Sequence, residues 1–243
     1  MQTGPLAQQL SPEHAEAEAH AAEQSFRSVS SASLSQLLDH LQISLVVSTY
    51  QTARVVLVRA ESPESINTHF SAFARPMGIA VGNYRLAIGC GRVVWDFRSQ
   101  PAMAPALEPR ERFDACYLPR NVHVTGHIAI HEIAFAGDEL WIVNTLFSSL
   151  CTLDELHCVV PRWRPPFITG FEPEDRCHLN GLAVVDGQVR YVTAFAETDV
   201  ANGWRGQAEP SGVIVDVQSN EIVARGLMLP HSPRWYDGRL WVL

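Results

Sequence analysis

The stretch Ile133-Ala134-Phe135-Ala136-Gly137-Asp138-Glu139-Leu140-Trp141-Ile142-Val143 reads as a strand, a polar turn and a second strand. The same unit returns as Leu182-Ala183-Val184-Val185-Asp186-Gly187-Gln188-Val189-Arg190-Tyr191-Val192 and as Pro233-Arg234-Trp235-Tyr236-Asp237-Gly238-Arg239-Leu240-Trp241-Val242, and it stands earlier as Ile79-Ala80-Val81-Gly82-Asn83-Tyr84-Arg85-Leu86-Ala87-Ile88. Asp186-Gly187 and Asp237-Gly238 are strong hairpin signals, because both residue types tolerate the left-handed backbone of a two-residue turn. Aligned on Leu86, Leu140, Val189 and Leu240, the units recur at intervals of 54, 49 and 51 residues. Strand–turn–strand content at a period of about 50 marks propeller blades. A four-stranded blade cannot cover both of its faces alone, so it packs against the next one. The sequence predicts an all-β, propeller-like chain, an incomplete ring of four-stranded blades.

Outward from these units the chain changes character. Residues 1–33 are polar, Ala-rich and Ser-rich, and read as a flexible tail with some helix; 34–243 read as the partial propeller domain. Leu34, Leu37, Leu38 and Leu41 have helical spacing with Ser33 as N-cap. Ser44–Tyr50 and Arg54–Arg59 are β-branched runs that read as paired strands. The last unit stops at Trp241-Val242-Leu243, partway through a blade, so the chain reads as a fragment of a longer ring. The net charge of −8, with every one of the 18 basic residues Arg, argues against a nucleic-acid partner. No stretch approaches ~20 uninterrupted apolar residues and none has the layout of a signal peptide, so a cytoplasmic protein with no membrane partner is expected. Five cysteines at irregular spacing fit a reducing compartment and read as buried or partly buried free thiols.

Several further stretches carry a resemblance: Glu132-Ile133-Ala134-Phe135, Trp141-Ile142-Val143-Asn144-Thr145-Leu146-Phe147-Ser148, Trp163-Arg164-Pro165-Pro166-Phe167, Pro173-Glu174-Asp175-Arg176-Cys177-His178-Leu179-Asn180-Gly181-Leu182 and Pro230-His231-Ser232-Pro233-Arg234. With them the chain resembles a bacterial family of conserved hypothetical, propeller-like proteins of unknown function, from about residue 34 to the end. The resemblance implies the propeller fold and a sequence that continues past Leu243; it implies no activity. His178-Leu179-Asn180-Gly181-Leu182-Ala183 is also similar to the Asn-Gly-Leu-Ala inner-strand segment of gluconolactonase/regucalcin-like propellers. There the Asn helps hold a divalent metal, which implies a metal-dependent hydrolase of the lactonase type as the alternative function.

The repeat register singles out candidate site residues. Two positions before Ile79, Ile133, Leu182 and Pro233 stand Met77, His131, Asn180 and His231. Equivalent positions on inner strands sit at similar height around the axis, so His131, Asn180 and His231 are expected at a channel mouth, with Glu132, His178 and Arg234 around them. Three readings suit this ring. It binds a small polar ligand or a protein partner; it holds a divalent metal through His131, Asn180 and His231; or each side chain ties its own blade to neighbouring backbone. His123, His127 and His131 do not form one ion site, because strand residues four apart lie ~13 Å from each other. The Walker loop, the nucleophile elbow and the dinucleotide turn are absent. The arginines of Arg162-Trp163-Arg164-Pro165-Pro166-Phe167, with Arg176 and Arg234, read either as a positive rim or as partners of Glu172, Glu174 and Asp175.

Overall fold

The computed structural model describes residues 28–110, 112–207 and 209–243. The expected helical content of the first 27 residues lies outside them. The chain divides into two compact units.

The described part of the first unit comprises 28–47 and 55–72. Its helix α1 spans Ala32–Leu41. The helix starts two residues before the expected Leu34, and its N-cap is Ser31 rather than Ser33. Ser31 and Ser33 bond each other through their hydroxyls at 2.8 Å, so neither caps a backbone N–H in the usual way. Of the leucine stripe, Leu38 is buried while Leu37 and Leu41 are about half exposed; Ser35 takes the vacant inner place and donates its hydroxyl to the Pro63 carbonyl at 2.8 Å. Strands β1 (Ser44–Thr49), β2 (Arg54–Ser62) and β3 (Ser65–Ala72) form one sheet in that order, the last of them not foreseen from the sequence.

The second unit comprises 48–54 and 73–243. It is built from antiparallel four-stranded sheets in chain order. The first holds β4 (Ile79–Gly82), β5 (Arg85–Gly89), β6 (Val93–Ser99) and β7 (Tyr117–Val124). The second holds β8 (Ile130–Ala136), β9 (Glu139–Asn144), β10 (Ser149–Thr152) and β11 (Val160–Trp163). The third holds β12 (Leu179–Val185), β13 (Gln188–Ala194), β14 (Gly212–Asp216) and β15 (Ile222–Leu227), followed by the hairpin β16 (Arg234–Tyr236) and β17 (Arg239–Trp241). Each repeat unit therefore supplies the first two strands of a sheet. The first strands neighbour one another, β4 against β8, β8 against β12 and β12 against β16. This is the propeller-like order expected from the repeats.

Local chemistry enforces that order. Asp186 and Gly187 have φ of 48° and 76°, Asp237 and Gly238 of 50° and 69°, the paired left-handed values that match the twist of a hairpin. Between sheets the backbones nearly touch. A Cβ on Gly78 would lie 2.7 Å from the Ile133 nitrogen, and one on Gly181 would lie 2.4 Å from Pro233 Cδ. Apolar side chains fill the space farther out. Ala80, Ala87 and Val94 meet Ile130, Ile133 and Ile142 between the first two sheets. Val143 and Leu150 meet Leu179, Leu182 and Val192 between the next two, where Trp163 and Phe167 pack against the cluster. Cys90, Cys116, Cys151 and Cys177 are buried free thiols, while Cys158 is exposed. Among the described residues no helix is long and apolar enough to cross a membrane.

Candidate ligand-binding site

The segments leading into the inner strands share a backbone device. Arg75, Ala129, His178 and Leu229 all have positive φ, at 54°, 51°, 49° and 45°. They stand two residues before Met77, His131, Asn180 and His231, so the device repeats with the sequence register. Left-handed backbone is unfavourable for residues with a Cβ, and such strain gathers where a protein holds something in place.

His131 on β8 points Nδ1 at two acceptors, the Ala129 carbonyl at 3.0 Å and Thr145 Oγ1 at 2.8 Å. Thr145 has one proton and gives it to the Leu179 carbonyl at 2.6 Å. Thr145 therefore accepts, and Nδ1 of His131 carries the hydrogen. The neutral ring keeps its lone pair on Nε2. Burial is the main reason the His131 pKa lies below the ordinary 6.5, with the nearby His178 and His231 adding to the effect.

His178 repeats the arrangement with a carboxylate. Its Nδ1 donates to both oxygens of Asp175, at 2.9 and 3.0 Å, and Trp204 Nε1 donates to Asp175 Oδ2 at 3.1 Å. The His178 ring lies 4.7 Å from that of His131, edge to face, and is flanked by Phe195 at 4.4 Å and Trp204 at 4.2 Å. His231 donates Nδ1 to the Leu229 carbonyl at 2.5 Å, and its ring lies 5.1 Å from Phe195. Three imidazoles thus have Nδ1 committed to the protein, which leaves Nε2 as the nitrogen open to a ligand. Two cavities adjoin the cluster. One of about 200 Å³ is lined by Tyr50, Arg75, Met77, His127 and His131; the other, of about 300 Å³, by Phe195, Trp204, Arg205, Ser211 and Leu229.

The sequence candidates are distributed as follows. His131 meets His178 directly, and Phe195 links His178 to His231. Asn180 is 5 % exposed within β12. Glu132 accepts from Arg234 and from the Leu182 N–H, so these two residues connect β8, β12 and β16. Burial raises the Glu132 pKa, and Arg234 and the Leu182 N–H oppose the rise. Glu132 occupies the repeat position held by Gly78 and Gly181; a Cβ on Gly181 would come within 2.9 Å of Glu132 Oε2. Among the described residues no three His, Cys, Asp or Glu side chains are placed to hold a metal ion.

Thr145, Asp175 and Phe195 were not singled out as site residues from the sequence, and Trp204 reads there only as a loop element that either recognises a ligand or plugs the fold. The available signal was Asp175 three residues before His178. It reads equally as a partner for Arg176, but Arg176 binds Glu172, Glu174 and Asp199 instead. Of the rim arginines, Arg162 pairs with Glu139 at 2.7 Å. Trp163 donates Nε1 to Asn220 Oδ1 at 2.8 Å, bridging β11 to the third sheet.

A family model described as a domain of unknown function (DUF4915) matches residues 32–243. No curated protein matches the sequence. Among solved structures, a streptogramin B lyase has a TM-score of 0.45 at 10 % identity, covering 82 % of this chain and 72 % of that one. A structural-genomics protein of unknown function from Bacteroides thetaiotaomicron has a TM-score of 0.38 at 9 % identity, and the chain covers 63 % of its length.

Proposed function

We propose that this chain, which belongs to the DUF4915 family, binds a small polar ligand at the inner-strand mouth where His131, His178 and His231 gather. The observation that carries the reading is the shared bonding of the three rings. Each Nδ1–H is spent on a protein acceptor, so a ring in its neutral form offers Nε2 to a hydrogen-bond donor. A ring that only tied its own blade together would need no such common orientation. The aromatic walls of Phe195 and Trp204 exclude water from one side of His178, which strengthens a polar contact made there. The ligand is therefore a donor, a hydroxyl or an amine.

The test is nitrogen-detected NMR of the imidazoles during a screen of small polyols, hydroxy acids and amines. Binding compounds should move the Nε2 resonances of His131 and His178, and His131→Ala with His178→Ala should abolish their binding while the sheets persist by circular dichroism. Compounds that bind without moving those resonances, or a screen without binders, would overturn the reading.

A further inference from the structure

The smaller cavity has a chemistry of its own. Arg75 lines it, and the guanidinium donates to the Tyr50 hydroxyl and lies 5.1 Å over the same ring. Among the described residues Arg75 has no carboxylate partner, whereas Arg176 has three. Because Tyr50 accepts from Arg75, its own proton is available to a further acceptor. The cavity lining thus presents a cation and a hydroxyl donor. His131 presents the opposite chemistry: its Nδ1 faces the Ala129 carbonyl and Thr145, which leaves the Nε2 lone pair.

The lining draws on the same backbone device in two adjacent repeats. Arg75 and Ala129, two residues before Met77 and His131, both hold left-handed backbone. A space of about 200 Å³ takes a molecule of a few heavy atoms.

We propose that this cavity binds a small carboxylic acid bearing a hydroxyl or amine beside its carboxylate, with Arg75 and Tyr50 on the carboxylate and His131 Nε2 accepting from the neighbouring donor. The proposal rests on the histidine-cluster reading and names the ligand class for its Arg75 side. A guanidinium suits a carboxylate because its planar fork can make two parallel bonds.

Calorimetric titration with glycolate, acetate and ethylene glycol separates the parts. Glycolate should bind about tenfold more tightly than acetate, with ethylene glycol weaker than either. Arg75→Gln should weaken glycolate and acetate at least tenfold, Arg75→Lys less so. His131→Gln should remove the preference for glycolate over acetate, and His131→Ala serves the same purpose if the glutamine variant unfolds. Glycolate binding that ignores Arg75→Gln but is lost in His131→Gln would overturn the carboxylate assignment and leave the histidine-cluster reading standing. Binding indifferent to both substitutions, or no glycolate binding by the unsubstituted protein, would overturn the proposal; in the first case the histidine cluster also fails for this ligand.

Discussion

Thr145 Oγ1 stands 2.8 Å from His131 Nδ1 and gives its only proton to the Leu179 carbonyl, so the hydroxyl joins two adjacent sheets and sets the tautomer of the imidazole at once. Thr145 is fully buried. Replacing it with Val keeps the shape and removes both bonds. Thr145→Val should therefore cost about 1–3 kcal/mol of stability, the usual penalty for buried groups left without a partner. Nitrogen NMR should also show His131 exchanging between tautomers, because the Ala129 carbonyl alone remains to hold Nδ1–H.

The buried position of His131 has a consequence for acid stability. A base whose folded pKa lies below its unfolded one stabilises the fold above the unfolded value and loses that contribution as pH falls. Protonation below about 6.5 is then taken up first by the unfolded chain. Unfolding midpoints measured from pH 8 down to pH 5 should fall through that window, and His131→Gln should flatten the part of the fall that belongs to this ring.

Gly181 gives a test of the inner-strand packing. Its missing Cβ would meet Pro233 Cδ at 2.4 Å and Glu132 Oε2 at 2.9 Å, and neither proline ring nor paired carboxylate can retreat easily. Gly181→Ala should cost about 1–3 kcal/mol, as overpacking of a tight core does. The control is Gly187→Ala, at a φ of 76° with its nearest neighbour atom 4.0 Å away, where only backbone strain of about 1–2 kcal/mol applies. Denaturant midpoints of the two variants decide whether close approach of the inner strands is the larger constraint.

The fold was legible because it repeats. Strand–turn–strand units with Asp-Gly turns recur at even spacing, and a period is visible even where single strands are short. His131 was legible for the same reason, since the register placed it at an inner-strand start. The partners of the histidines were not. Thr145 sits in the turn that follows β9, the partner strand of β8, Phe195 follows β13, and Trp204 lies in the long connection to β14; strand pairing and the tertiary path bring these to His131 and His178. Repeat register gives equivalent backbone height, but the direction of a side chain also depends on local φ. At His178, with φ of 49°, the backbone turn carries the ring to His131, a contact that the register alone assigned to Asn180.

The thiols offer a simple measure of how closed the sheets are. Burial pushes Cys151 and Cys177 to about 12 and Cys90 to about 11. A thiol at those values is almost entirely protonated near neutrality and reacts slowly. Native protein treated with iodoacetamide should be modified at Cys158 alone, and Cys158→Ser should take up almost none. Denatured protein should take up label at all five positions. Rapid native labelling of Cys151 or Cys177 would show that the sheets open where the structure has them packed.

Arg234 and Glu132 close the contact between β16 and β8, and the two ends of the pair differ in surroundings. The Glu132 side chain is 12 % exposed, while the Arg234 side chain is about half exposed. Removing the cation leaves a buried acceptor whose remaining bond is to the Leu182 N–H. Arg234→Gln should lower stability at pH 7 by about 1–3 kcal/mol. The direction with pH follows from burial, which already raises the Glu132 pKa and would do so further without Arg234. A carboxyl whose folded pKa is raised contributes most below its unfolded value, near 4.5, and loses that contribution as pH rises through the folded one. The deficit of Arg234→Gln should therefore shrink as pH is lowered from 7 toward 4.5, because the protonated carboxyl has no charge to compensate. Glu132→Gln combined with Arg234→Gln should remove this pH dependence, since no charge then remains at either end. Unfolding midpoints of the two variants across that range, compared with the parent, measure the coupling between the two side chains. A deficit that stayed constant with pH would mean that Arg234 stabilises β16 through packing of its stem rather than through the Glu132 carboxylate.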